Sequence, residues 1–97
     1  MKLRFTRRAI QDLHEISDYL RARNPTAARR LRAAILDCLQ GATVFPKAGR
    51  RQNAEGVRRL VTRKYPYLIY YRVDEVADEI VVITIQHAAR EREFSDL

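Results

Sequence analysis

Cleavage of RNA through its own 2′-hydroxyl needs a base beside that hydroxyl, an acid beside the leaving oxygen and cations around the phosphorane. Few side chains in this 97-residue chain are suited to it. His87 ends an apolar run and is the one imidazole near a group of cations, with Arg59, Arg63, Arg72 and Arg90 as the charges around it. His14 follows Leu13 in a helical pattern and reads as a surface residue. Glu55 is the single carboxylate between residues 47 and 73, and serves as a base only if its loop folds back over the strands. The plainer readings are a rim histidine at a strand end and a solvated loop acid. These residues do not assemble a complete acid–base pair.

Other chemistries have less support. Asp, Glu and His do not recur on one strand or helix face near the basic residues, so neither a metal nor a cofactor is expected. The lone Cys38 precludes an intrachain disulfide, and its place on an apolar helical stripe predicts a small buried side chain. Tyr67, Tyr70 and Tyr71 are expected to pack in or on a sheet rather than to stack bases.

The charge is more telling. Residues 47–73 carry Lys47, Arg50, Arg51, Arg58, Arg59, Arg63, Lys64 and Arg72 against Glu55 alone, a net of +7. The other 70 residues hold 11 basic and 11 acidic groups, so the whole-chain charge of +7 resides in this window. Such concentration directs a positive field at an anionic partner, either nucleic acid or an acidic protein segment. Arg50, Arg51, Arg58, Arg59, Arg63, Lys64 and Arg72 are therefore the expected binding residues.

The elements that position these groups follow from periodicity. Lys2–Phe5 alternates as a short strand, and Thr6 is placed to cap a helix from Arg7 to Arg21–Arg23, with Ala9, Leu13, Ile16 and Leu20 as its apolar stripe. Asn24-Pro25 restarts a helix, Asn24 as N-cap and Pro25 at the first turn. Ala28, Leu31, Ile35, Cys38 and Leu39 form the second stripe, and Gly41 is the expected stop. Residues 47–56 read as a loop. Val57–Thr62, Tyr67–Val73 and Ile80–Ile85 read as strands, separated by Arg63-Lys64-Tyr65-Pro66 and an acidic turn at 74–78. The last strand is apolar on both faces, hence central. The expectation is one α+β domain over residues 1–97, ordered β-α-α-β-β-β, with a helical hairpin packed on a small, mainly antiparallel sheet. The arginines of strand 57–63 are expected on the face away from the helices, making it concave and positive. No apolar leader opens the chain and no window approaches the roughly 18 apolar residues of a membrane span. A cytoplasmic setting without membrane contact is expected.

Four segments, FPKAGR (45–50), GVRRL (56–60), YLIYYRV (67–73) and ITIQHAAR (83–90), resemble in order and spacing the RelE/ParE superfamily of toxins from type II toxin–antitoxin modules. The resemblance spans essentially the whole chain and is closer to the ParE, or plasmid-stabilisation, branch. It implies a toxin that inhibits DNA gyrase and is neutralised, in a hetero-oligomer, by a ParD-like antitoxin with an acidic C-terminal tail. The alternative it implies is a RelE-like ribosome-dependent mRNA endonuclease, using His87, Arg59, Arg63 and Arg90. Nucleolytic relatives generally carry a lysine-rich helix or a tyrosine- or histidine-bearing C-terminal segment. Here the second helix has no lysine and the residues after His87 contain no tyrosine, which favours a toxin that binds rather than cuts.

Overall fold

The computed structural model describes residues 1–64 and 66–88 and shows two helices on one face of a five-stranded mixed sheet. The elements are β1 (Lys2–Phe5), α1 (Arg7–Arg23), α2 (Pro25–Val44), β2 (Arg50–Arg51), β3 (Val57–Val61), β4 (Tyr67–Asp74) and β5 (Glu79–His87). The sheet runs β1-β5-β4-β3-β2, with β1 parallel to β5 and all other pairs antiparallel. Tyr65, within the expected break between β3 and β4, lies outside the described residues.

The caps are where the sequence places them. Thr6 Oγ1 accepts from the Ala9 N–H at 3.1 Å and opens α1. Asn24 closes α1 by donating its backbone N–H to Leu20 O at 2.6 Å, and its side chain accepts from Ala27 N–H at 3.1 Å to open α2. One residue thus satisfies orphan groups of both helices and sets the sharp hairpin. The apolar stripes face the sheet, where Ala9, Leu31, Ile35 and Leu39 pack with Tyr67, Ile69, Val82 and Ile85. β5 is central as expected, with Ile80, Val81, Val82 and Ile85 all buried.

Two expectations are corrected. Gly41 does not end α2, which continues to Val44 with Phe45 N–H donating to Gly41 O at 2.8 Å. Ala42 is buried against Tyr71 and Ile80, and this packing outweighs the glycine as a stop. Pro46 ends the helix instead, because its ring disfavours helical geometry at Phe45, found at φ −122° and ψ 78°. Residues 47–56 are not loop throughout, since Arg50 and Arg51 form the edge strand β2, paired with Arg59 and Arg58. Gly56, at φ 76°, supplies the left-handed residue that turns the chain into β3.

Where β1 ends, α1 takes over the exposed edge of β5. Thr6 N–H donates to Val82 O at 3.0 Å and its hydroxyl donates to Ile83 O at 2.6 Å. Six residues later Asp12 Oδ2 accepts from Ile85 N–H at 3.0 Å and from the Thr84 hydroxyl at 2.6 Å. A carboxylate thereby satisfies a strand N–H that the short β1 cannot reach.

The connection from α2 to β2 is held from inside the sheet. The Tyr71 hydroxyl, fully buried, donates to Pro46 O at 2.8 Å and accepts from Gly49 N–H at 2.9 Å. A Cβ at position 49 would lie 2.6 Å from that hydroxyl, so only glycine allows the approach. Gly49→Ala is expected to destabilise the fold by about 1–3 kcal/mol through overpacking. Tyr71→Phe should do so by a similar amount, by leaving Gly49 N–H and Pro46 O without their partner. Urea denaturation measures both, and an unchanged midpoint in either variant contradicts the clamp.

Burial raises the Tyr71 phenol above its ordinary value of 10.0, with the Gly49 hydrogen bond and the Arg58 charge partly offsetting it. The unfolded chain therefore ionises this tyrosine first as pH rises. Its contribution to stability is complete below pH 10 and is lost as pH climbs through the raised folded value. Between pH 9 and 11 the wild type should lose stability more steeply than Tyr71→Phe, and parallel curves would contradict this.

Candidate interaction surface

Strand alternation divides the basic window. Cross-strand partners share a face, and Arg58 lies opposite Tyr71, whose ring packs with Ala42 of α2, whereas Arg59 lies opposite Tyr70 in a cluster on the other face. Register extends each side: Arg50 joins Arg59, Arg51 joins Arg58, and Arg72, opposite Val57, joins the face of Arg59. The expected gathering of these arginines on the face away from the helices is thus only partly realised. That face holds Arg50, Arg59 and Arg72, and its centre is apolar: Val57, Leu68 and Tyr70 are buried there, with Ala54, Ile83 and Ala88 packed against them.

Arg58 belongs to the architecture. Its Nη1 donates to Lys47 O at 3.1 Å and to Gly49 O at 2.9 Å, bracing from a second side the turn that Tyr71 holds. Arg50, Arg51 and Arg72 are exposed, Arg59 is half-buried, and Arg63 and Lys64 are exposed in the turn after β3. The ion pairs of Arg4 with Glu79 at 3.9 Å and of Arg21 with Asp18 at 3.3 Å both lie outside the window. Exposed guanidinium groups on two faces and one end make a surface suited to charge-assisted contacts with an extended acidic chain.

The residues considered for RNA cleavage are separated. His87 is exposed at the end of β5, opposite Tyr67, with its ring edge-on to the tyrosine at 5.2 Å and 84°. It lines a cleft with Asp12, Glu15 and Tyr19 of α1, on the helix side of the sheet, while Arg59 is on the far side. Arg63 lies in the turn after β3, Glu55 is exposed in the β2–β3 loop, His14 is exposed on α1, and Arg90 lies outside the described residues. Tyr67, Tyr70 and Tyr71 are buried and pack as expected. Cys38 is half-buried rather than buried, beside the main core, and burial, followed by the nearby Asp37, holds its thiol pKa up in the less reactive protonated form. No group of three His, Cys, Asp or Glu able to hold a metal forms among the described residues, and among them no helix is long and apolar enough to cross a membrane.

A second surface lies on the helical hairpin. Between α1 and α2 lies a cleft of 380 Å³ whose floor includes Leu13, Leu20, Leu31 and Ile35. Ile10 and Leu36 stand exposed on its rim beside His14, Arg21 and Arg32. Ile10 widens the α1 stripe in the sequence, and that extra width is the signal of an apolar rim rather than of more core.

Comparison with known proteins agrees with this architecture. The profile of the family described as ParE toxin of type II toxin-antitoxin system, parDE, matches residues 3–92. Toxin RelE2 of Caulobacter vibrioides is 37% identical over 87 residues, covering 89% of this chain and 93% of its own. Among solved structures, the chromosomal ParDE toxin–antitoxin system of P. aeruginosa contains a chain that superposes with a TM-score of 0.75 at 28% identity, over 90% of this chain and 95% of that one. The toxin–antitoxin complex RelBE2 of Mycobacterium tuberculosis gives 0.63 at 25% identity, over 89% and 95%. With the family profile matching most of the chain and a 37%-identical toxin aligned over nearly all of it, this protein belongs to the ParE toxin family of type II toxin–antitoxin systems.

Proposed function

We propose that this toxin acts by binding, with DNA gyrase as its target, and that its antitoxin lays an acidic, amphipathic helix into the α1–α2 cleft. The observation that carries the binding reading is the separation of His87 from Arg59 on opposite faces of the sheet. A ribonuclease needs its base and its phosphate-binding cations around one scissile bond. The RelE-like alternative, cleavage of mRNA on the ribosome, would need these groups to meet.

For the antitoxin, the cleft offers an apolar floor with Arg21 and Arg32 at its rim, matching a helix that has leucine-like anchors on one face and acids beside them. The continuation of the same tail would meet the exposed arginines of β2 and β4. A disordered acidic tail orders on binding, and complementary charge speeds the encounter.

Two assays on purified protein test the target. Gyrase supercoiling should be inhibited, mRNA in translating ribosomes should remain intact, and His87→Ala should leave the inhibition within about 3-fold of wild type. Cleavage of ribosome-bound mRNA that His87→Ala abolishes establishes the alternative.

Antitoxin binding separates the two contributions. Leu36→Glu places a charge on the apolar rim and should weaken binding at least about 100-fold, since an unpaired buried charge costs several kcal/mol. Arg50→Glu with Arg72→Glu should weaken it less and flatten its dependence on salt, because exposed charges are screened. Wild-type affinity indifferent to salt would remove the electrostatic contribution.

A further inference from the structure

We infer that the apolar surface around Phe45 pairs two copies of this chain about a two-fold axis. At the C-terminal end of α2, Val44 and Phe45 are 68% and 70% exposed. A phenylalanine this exposed contributes little to the core, and exposed apolar clusters on small proteins mark contact sites. A cavity of 560 Å³ lies here, its walls including Phe45, Pro46 and Val73, with Lys47 on the loop side and Glu75 on the turn side.

The platform is pre-organised. Tyr71 holds Pro46 and Gly49, and Arg58 holds the carbonyls of Lys47 and Gly49. The loop beside Phe45 is therefore fixed from within the fold, and less ordering remains to be done on association.

The charges on the rim identify the occupant. An acidic antitoxin segment gains nothing from Glu75, and a nucleic acid gains nothing from the apolar centre. A second copy uses all of it. A two-fold contact is self-complementary, so a patch with one cation on one wall and one anion on the other sets Lys47 of each copy against Glu75 of its mate, over paired Phe45 rings. A contact centred on one aromatic side chain from each copy makes a weak dimer, with a dissociation constant on the order of 10–100 µM. The inference is independent of the cellular target.

Sedimentation equilibrium on the free, untagged full chain tests it over about 5–500 µM, a range chosen to bracket that constant. Wild type should move from monomer to dimer, and Phe45→Asp should stay monomeric throughout. Lys47→Glu and Glu75→Lys should each weaken association at least about 5-fold, as like charges then face each other, and the double exchange should return it to within about 2-fold of wild type. Circular dichroism verifies folding, and the charge exchange decides the matter even if Phe45→Asp does not fold. A wild type monomeric throughout, single variants that associate like wild type, or a double exchange no better than the singles would each overturn the proposal. Loss of antitoxin binding in Phe45→Asp with no wild-type self-association would overturn it in favour of the antitoxin as occupant.

Discussion

The Tyr71 hydroxyl is the point on which the functional half of this molecule depends. It stands beneath a turn whose backbone has no ladder to join, and supplies both the acceptor for Gly49 N–H and the donor for Pro46 O. Arg58 adds two further bonds to the same turn. Without these four contacts the chain between α2 and β2 has little to fix it, because β2 is only two residues long and forms the edge of the sheet. The clamp thus decides where Arg50 and Arg51 lie, how Phe45 is presented, and why one arginine of the basic window is tied into the fold through its Nη1.

The same contacts give the sequence pattern a physical meaning. Pro46 ends the helix, Gly49 leaves room for a phenol, Arg58 reaches back eleven residues, and Tyr71 closes the group from β4. Three of the four short segments spread over the chain thus meet in one structural device. Their order and spacing therefore identify the fold more securely than they identify a target.

Much of the architecture was legible because local chemistry and tertiary packing agree. Thr6, Asn24 and Pro25 cap in the structure as their types demand, and the unbroken apolar run of β5 is central. Where a local signal conflicted with packing, packing prevailed: Gly41 stays helical because Ala42 has a buried place to fill. β2 was hidden because two consecutive arginines carry no strand pattern, and their pairing is set by the turn at Gly56 and the clamp below. The split of the window was half legible. Adjacent Arg58 and Arg59 on a strand must face opposite ways, but only the register with β2 and β4 reveals which charges join each of them. Asp12, which completes the edge of β5, left no signal in a helix with several other acids and bases.

The fold presents three surfaces: a split set of arginines, an apolar cleft between the helices, and an apolar platform beside the clamped turn. All three are placed by the contacts described above, and the Gly49 amide reports on the clamp directly. Amide hydrogen exchange at Gly49 in the free protein is the most direct test. If the amide is held by the buried phenol, it should exchange only on large-scale opening, as slowly as the amides of β4 and β5. Exchange as fast as that of Val76, fully exposed in the β4–β5 turn, would show that the turn is not clamped, and the placement of Phe45 and β2 would then need another cause.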